Sequence, residues 1–373
     1  MTIKINSKEF NLPADHRPYT DKYFIISNQI LKGEDYNPNV KLQVFIRKGP
    51  GRVYGIEEAI AILDKYSNIR EKGRILALPE GSQHNPLDVV MQIEAPLQEV
   101  IELETMYLGT ISGETSKHAG ITLDLSSIKE NARKVVEAAD GRPVMYFGAR
   151  HWKYDEDAKI ARAAYEGGID KAATDIGAAT FGGRGKGTSP HVAIIAFAAK
   201  YGIENASLEF TRAFDKHIDP RIKRITLIDT FNRELSDSKM ILEQIPDKIN
   251  GFRLDTCGEN IGEGGTQFNG IKYETGPGVT IELANNFYKQ LETMGYPEKE
   301  IVLSSGFADY RKVEAFVAAE KRLGHKLFDG LGVGGLFKSI ETKADTVEVN
   351  GKLISKAGRF FRPINRLEEV LIK

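Results

Sequence analysis

The sequence predicts an α/β protein, with an N-terminal α+β domain over residues 1–120 and a parallel α/β barrel over residues 121–337. Three observations carry this expectation. From about Pro143 onward, short apolar runs alternate with helical stretches, each run ends at a polar or glycine residue, and the helices show apolar residues at three- and four-residue spacing. In such a barrel the C-terminal ends of the strands surround the site, and phosphate often binds at the loops after the last strands.

Taken in order, Leu42-Gln-Val-Phe-Ile46 and Asp88-Val-Val-Met-Gln-Ile93 read as strands, and Ile56 to Lys65 and Leu97 to Leu108 as helices. The barrel strands follow. Val144-Met-Tyr-Phe147 ends at Gly148-Ala-Arg150, Arg224-Ile-Thr-Leu-Ile228 at Asp229, and Gly251-Phe-Arg-Leu254 at Asp255. Glu300-Ile-Val-Leu303 ends at Ser304-Ser-Gly306, and Lys326-Leu-Phe-Asp329 at Gly330-Leu-Gly-Val-Gly-Gly335. Helices from Thr280 to Met294 and from Asp309 to Leu323 stop at Gly295 and Gly324. Residues 338–373, with Thr346-Val-Glu-Val-Asn-Gly-Lys-Leu-Ile354 as a hairpin, read as a C-terminal extension packing on the N-terminal domain.

The 373 residues carry 51 Lys and Arg against 52 Asp and Glu, so there is no basic footprint for nucleic acid and a small soluble substrate is expected. The longest apolar helical run, Val192 to Ala199, falls well short of the ~20 residues that span a bilayer, and the N-terminus shows no signal-peptide pattern. A cytoplasmic protein is expected. One cysteine, Cys257, builds neither an internal disulfide nor a cysteine-rich zinc site, which leaves oxygen ligands or substrate to hold any metal.

The stretch Phe181-Gly-Gly-Arg-Gly-Lys-Gly-Thr-Ser-Pro-His191 has the chemistry of an anion-binding loop: glycines for close backbone approach, Arg184 and Lys186 for charge, and a helix N-terminus behind them. It is not a Walker loop, because Gly187 follows Lys186. Gly330, Gly332 and Gly335 match G-x-G-x-x-G, but too little chain follows for a dinucleotide fold, and after a late barrel strand they suit a phosphate monoester. His191, opening the apolar helix, stands where it can act on a phosphoryl group.

Together these residues resemble nicotinate phosphoribosyltransferases, in particular the shorter archaeal-like branch of the type II phosphoribosyltransferases. The resemblance rests on Thr20-Asp-Lys-Tyr-Phe24, Leu78-Pro-Glu-Gly81, Ile101-Glu-Leu-Glu-Thr105 with Leu108-Gly, Phe147-Gly-Ala-Arg150, Gly187-Thr-Ser-Pro-His191, Leu227-Ile-Asp-Thr230, Arg253-Leu-Asp255 and the two late glycine loops. It implies a sandwich-like N-terminal domain on an irregular barrel, working as a homodimer or higher homo-oligomer with sites at the subunit boundary. The implied reaction makes nicotinate mononucleotide and pyrophosphate from nicotinate and phosphoribosyl pyrophosphate, with Mg²⁺ and with ATP hydrolysis coupled through a phosphohistidine.

By position, His191 is then the phosphorylated histidine, Asp229 and Asp255 are catalytic acids near the ribose, and Arg150 meets the pyridine carboxylate or a phosphate. Tyr23, delivered by the partner subunit, stacks on the ring; Thr188, Arg253, Ser305, Gly306, Gly332 and Gly334 bind substrate. The metal-contacting residues stay unassigned. Relatives often carry a second arginine where this chain has His151, and Ser-Gly-Asp where it has Cys257-Gly-Glu259. The rival readings are a quinolinate phosphoribosyltransferase, which presents several cations around the pyridine and needs no phosphohistidine, and a non-catalytic nucleotide-binding sensor.

Overall fold

The computed structural model describes residues 2–372. The strands in chain order are β1 (Thr2–Ile5), β2 (Asn39–Ile46), β3 (Gly51–Arg52), β4 (Arg74–Ala77), β5 (Gln83–His84), β6 (Val89–Pro96), β7 (Val144–Tyr146), β8 (Lys171–Ala172), β9 (Ile225–Leu227), β10 (Gly251–Leu254), β11 (Glu300–Leu303), β12 (Gly330–Val333), β13 (Thr342–Val349), β14 (Lys352–Leu353) and β15 (Glu368–Ile372). A seven-stranded sheet runs β1-β15-β4-β6-β2-β13-β14, and a six-stranded sheet runs β8-β7-β12-β11-β10-β9. Every pairing in the second sheet is parallel. The α/β class is therefore the one expected.

The first sheet takes strands from both ends of the chain. β13 pairs antiparallel with β2, and β15 lies between β1 and β4. A buried polar contact fixes this return: the Gln43 side chain donates to Gln92 Oε1 and to the Arg362 carbonyl, each at 3.0 Å, and accepts from the Arg362 N–H at 2.9 Å. Both ends of a buried amide are thus satisfied, which keeps burial from being costly. The expected hairpin forms as β13 and β14.

Helices cover the parallel strands as the alternating pattern requires. Ile281–Thr293 is capped by Thr280, whose side chain accepts from the Leu283 N–H, and Tyr310–Leu323 by Asp309, which accepts from the Arg311 N–H. The helix His191–Tyr201 is apolar on all sides because it is buried, with Val192 through Ala198 enclosed in the core of the first sheet. The expected helix from Leu97 to Leu108 is broken instead, into Leu97–Val100, a 3₁₀ turn Ile101–Leu103 and the longer Glu104–His118.

One strand lies four residues later than predicted. The chain pairs Gly330–Val333, not Lys326 to Asp329, so the first half of the supposed glycine loop is β12 itself. The reason is steric. A Cβ at Gly332 would stand 2.0 Å from the Phe147 ring, so glycine here admits an aromatic neighbour rather than a flexible loop. No helix among the described residues is long and apolar enough to cross a membrane.

Candidate active site

A cavity of about 410 Å³ opens at the C-terminal ends of the parallel strands and is roofed by β13 of the other sheet, from Thr342 to Thr346. Asp255 follows β10, Ser304 follows β11, Gly334 follows β12, and Arg150 sits in the 3₁₀ turn after β7. The topology thus gathers residues far apart in sequence. His191, Asp255, Tyr23, Arg150, Arg253, Ser305, Gly306, Gly332 and Gly334 all line the cavity; Asp229 lies just behind its wall, and Thr188 stands outside it.

At one end, Tyr23, Phe24 and Phe147 surround two arginines. The Arg150 guanidinium lies 5.6 Å from the Tyr23 ring centroid and 5.9 Å from that of Phe24, close enough for cation–π attraction. Its local acids are Asp21, at 3.2 Å, and Glu104, at 3.1 Å. Two buried carboxylates around one cation leave an excess of negative charge. Burial accordingly raises the pKa of Asp21 and carries Glu104 up to about 7, with Arg150 opposing both shifts. Arg253, 7% exposed, donates to the Ser189 carbonyl at 3.0 Å, and its Nε is buried without a partner.

Tyr23 lines the cavity of its own chain, where the start of helix Lys22–Gly33 is tied to the end of the parallel sheet: the Lys22 N–H donates to the Ala173 carbonyl at 2.8 Å.

The middle of the cavity holds a three-membered cluster. His191 Nε2 is 3.0 Å from Asp229 Oδ2 and 2.7 Å from Lys356 Nζ; Lys356 also donates to Asp229 Oδ2 at 2.5 Å and to the Asp255 carbonyl at 3.0 Å. Asp255 Oδ2 is 3.9 Å from His191 Nε2, and its Oδ1 accepts from the Ser304 hydroxyl at 2.8 Å. Burial and the Lys356 charge lower the His191 pKa, against the opposing pull of Asp229. His191 is therefore neutral near pH 7, with a lone pair available on its ring. Although burial alone would raise Asp229, the Lys356 charge and the hydrogen bonding to His191 and Lys356 hold it well below the usual carboxylate range.

The glycine-rich loop does not play the part its composition suggested. Arg184 and Lys186 are exposed and lie outside the cavity wall. Small residues turn inward in their place: the Gly185 N–H donates to Asp175 Oδ1 at 2.8 Å, and a Cβ at Gly187 would stand 2.7 Å from the Tyr23 backbone nitrogen. The loop thus packs against the chain on both sides and sends its long cations to solvent.

The cavity wall is basic, with Arg47, Lys343, Lys356 and Arg359 joining Arg150 and Arg253. The four additional cations pair with acids, Arg47 and Arg359 with Glu259, Lys343 with Glu341, and Lys356 with Asp229. His151 lines the wall as well; its Nδ1 lies 3.1 Å from the Gly334 carbonyl, and burial takes its pKa down to about 4.

Sequence reasoning missed Lys356, Glu104 and Asp21. The last two lie inside the motifs Ile101-Glu-Leu-Glu-Thr105 and Thr20-Asp-Lys-Tyr-Phe24, so a signal for them was present; Lys356 lies in no motif. Among the described residues no group of three or more His, Cys, Asp or Glu could hold a metal ion. Asp255, with its carboxylate on the cavity, suits Mg²⁺ carried in by a polyphosphate, since Mg²⁺ commonly takes one or two carboxylates and completes its shell with water and phosphate oxygens.

Residues 21–113 match the family described as quinolinate phosphoribosyl transferase, N-terminal domain. A nicotinate phosphoribosyltransferase of Mycobacterium tuberculosis is 26% identical over 346 residues, covering 85% of this chain and 65% of the relative, so the chain spans about two thirds of that relative's length. Among solved structures, a Saccharomyces cerevisiae protein provisionally named a nicotinate phosphoribosyltransferase superposes with a TM-score of 0.70 at 15% identity, covering 93% of this chain and 94% of the other. A nicotinate phosphoribosyltransferase from Porphyromonas gingivalis gives 0.63 at 13% identity, covering 91% and 92%. The structures bear out the fold, and the comparisons together bear out the resemblance to nicotinate phosphoribosyltransferases.

Proposed function

We propose that this protein is a nicotinate phosphoribosyltransferase, joining nicotinate to phosphoribosyl pyrophosphate and coupling the reaction to ATP hydrolysis through His191. One observation carries the reading: a single cavity brings together an aromatic end with two arginines, serine and glycine loops at strand ends, and a neutral histidine held by Asp229 and Lys356. The similar protein from Mycobacterium tuberculosis is named for the same activity.

The pyridine ring stacks on Tyr23 in this reading, and its carboxylate takes the place of Glu104 or Asp21 on Arg150, with Arg253 as the second cation. The 5′-phosphate sits on Ser305, Gly306 and Gly334, and Asp255 holds a ribose hydroxyl. As the C1–O bond to pyrophosphate breaks, that electron pair leaves with pyrophosphate and the pyridine nitrogen forms the new bond to C1. The protein's part is positioning and charge balance around an oxocarbenium-like centre. Mg²⁺, when bound, would neutralise the pyrophosphate oxygens.

With the His191 Nε2–H donating to Asp229, Nδ1 carries the lone pair and is the ring nitrogen to attack the γ-phosphorus of ATP; the bridging oxygen leaves with ADP. The resemblance also supports a cytoplasmic homodimer or higher homo-oligomer. A second reading, quinolinate as the base, is favoured by the name of the matched N-terminal family. Among the described residues the cations on the Tyr23, Phe24 and Phe147 rings are Arg150 and Arg253, and Arg150 already carries two acids, which suits one carboxylate better than two. The test is product formation from phosphoribosyl pyrophosphate with nicotinate, nicotinamide or quinolinate. Nicotinate is expected to give the highest kcat/KM, and a preference for either rival would overturn the assignment.

A further inference from the structure

Arg184 and Lys186 face solvent, and the loop after β11 that we read as taking the 5′-phosphate contains only neutral residues, Ser304, Ser305, Gly306, Phe307 and Ala308. A cation nonetheless lies directly behind it. Lys312, in the first turn of helix Tyr310–Leu323, is 8% exposed and does not line the cavity. Its Nζ donates to the Ser305 carbonyl at 3.0 Å and stands 4.2 Å from the Phe307 ring centroid, and a Cβ added at Gly306 would lie 3.6 Å from it.

Two features of this arrangement ask for a ligand. First, an ammonium has three donors, and here the described residues supply it one acceptor and no carboxylate within ion-pair distance. The nearby acids are occupied elsewhere: Asp309 accepts from Tyr273 and Arg311, and Asp255 from Ser304. Burial, only partly offset by Asp255 and Asp309, lowers its pKa to about 8. Second, Ser305 has φ +71° and Gly306 φ +84°, so a residue with a side chain is held in the left-handed region at the point where Lys312 grips its carbonyl.

We propose that Lys312 is a positioning residue for the phosphate subsite: it turns the Ser305 carbonyl away from the cavity, and its charge acts through the loop on a phosphate monoester seated there. This rests on the reading of loop 304–308 as the 5′-phosphate site. The test uses full-length wild type, Lys312→Met and Lys312→Arg, with calorimetric binding of ribose 5-phosphate and steady-state kinetics. Lys312→Met should weaken ribose 5-phosphate and raise KM for phosphoribosyl pyrophosphate by about tenfold or more, the scale of one charge-assisted contact, with kcat and KM for the pyridine within about threefold. Lys312→Arg should retain most of the affinity.

Unchanged affinity in Lys312→Met overturns the proposal, as does an equal loss of every parameter in both variants. Should Lys312→Met not fold, as judged by circular dichroism, Lys312→Gln with the same readouts decides. Wild type that uses phosphoribosyl pyrophosphate but does not bind ribose 5-phosphate would overturn both the loop's assignment and this inference, whereas wild type that binds ribose 5-phosphate without transferase activity would overturn the proposed function alone.

Discussion

The two charged clusters of the cavity are built from opposite ratios. Around Arg150 two buried acids, Asp21 and Glu104, share one cation; around Asp229 one buried acid is shared by Lys356 and His191. In the first cluster burial carries an acid, Glu104, up to about 7; in the second, burial and the Lys356 charge push a base, His191, down. The first cluster is thus suited to exchange an internal carboxylate for that of a substrate, and the second to keep a nucleophilic nitrogen unprotonated.

Removing the surplus cation of the second cluster should give the largest effect. Lys356→Met leaves Asp229 with His191 alone and is expected to lower stability by about 3–5 kcal/mol, read by urea denaturation. The His191 pKa should rise in the same variant, since the Lys356 charge that depresses it is gone while Asp229 remains. An unmoved His191 titration by NMR would show that the two clusters do not differ in the way described.

The first cluster is probed by Arg150→Lys, which keeps the charge but removes the planar fork. KM for the pyridine should rise by about 10- to 100-fold, the equivalent of one charge-assisted hydrogen bond, with little change for phosphoribosyl pyrophosphate. Equal changes for both substrates would place Arg150 away from the base.

Glu104→Gln should be the mildest change at or below neutral pH, because the protonated acid and the amide are similar in shape. Glu104 titrates near 7 in the folded chain against 4.5 when unperturbed, so the folded state binds more protons between these values. The stability this contributes is present below about 4.5 and is lost as pH rises through about 7. The melting temperature of wild type minus that of Glu104→Gln should therefore fall from pH 5 to pH 8. A difference that stays constant or grows would place the raised pKa elsewhere.

What could be read in the sequence followed from periodicity. Asp229, Asp255, Ser304 and Arg150 were legible because each ends an apolar run, and the parallel topology then brings such ends together. β12 was misplaced because its glycines looked like a loop, when they make room for Phe147. β8, two residues long, carries no periodic signal. Arg184 and Lys186 misled because composition does not tell which side of a loop faces inward, and here Gly185 and Gly187 do. Lys356 was illegible for a different reason: it lies 127 residues from Asp229, in the segment after β14, and only the return of the chain to the first sheet sets it beside His191.

The central claim, that the Asp229–Lys356 cluster prepares His191 to receive a phosphoryl group, is tested most directly by His191→Asn. Nicotinate mononucleotide formation is to be measured with and without ATP in wild type and variant. The account predicts ATP stimulation in wild type and, in the variant, a slow reaction that ATP does not change, since the binding loops survive and the acceptor nitrogen does not. Full ATP stimulation in His191→Asn would contradict it.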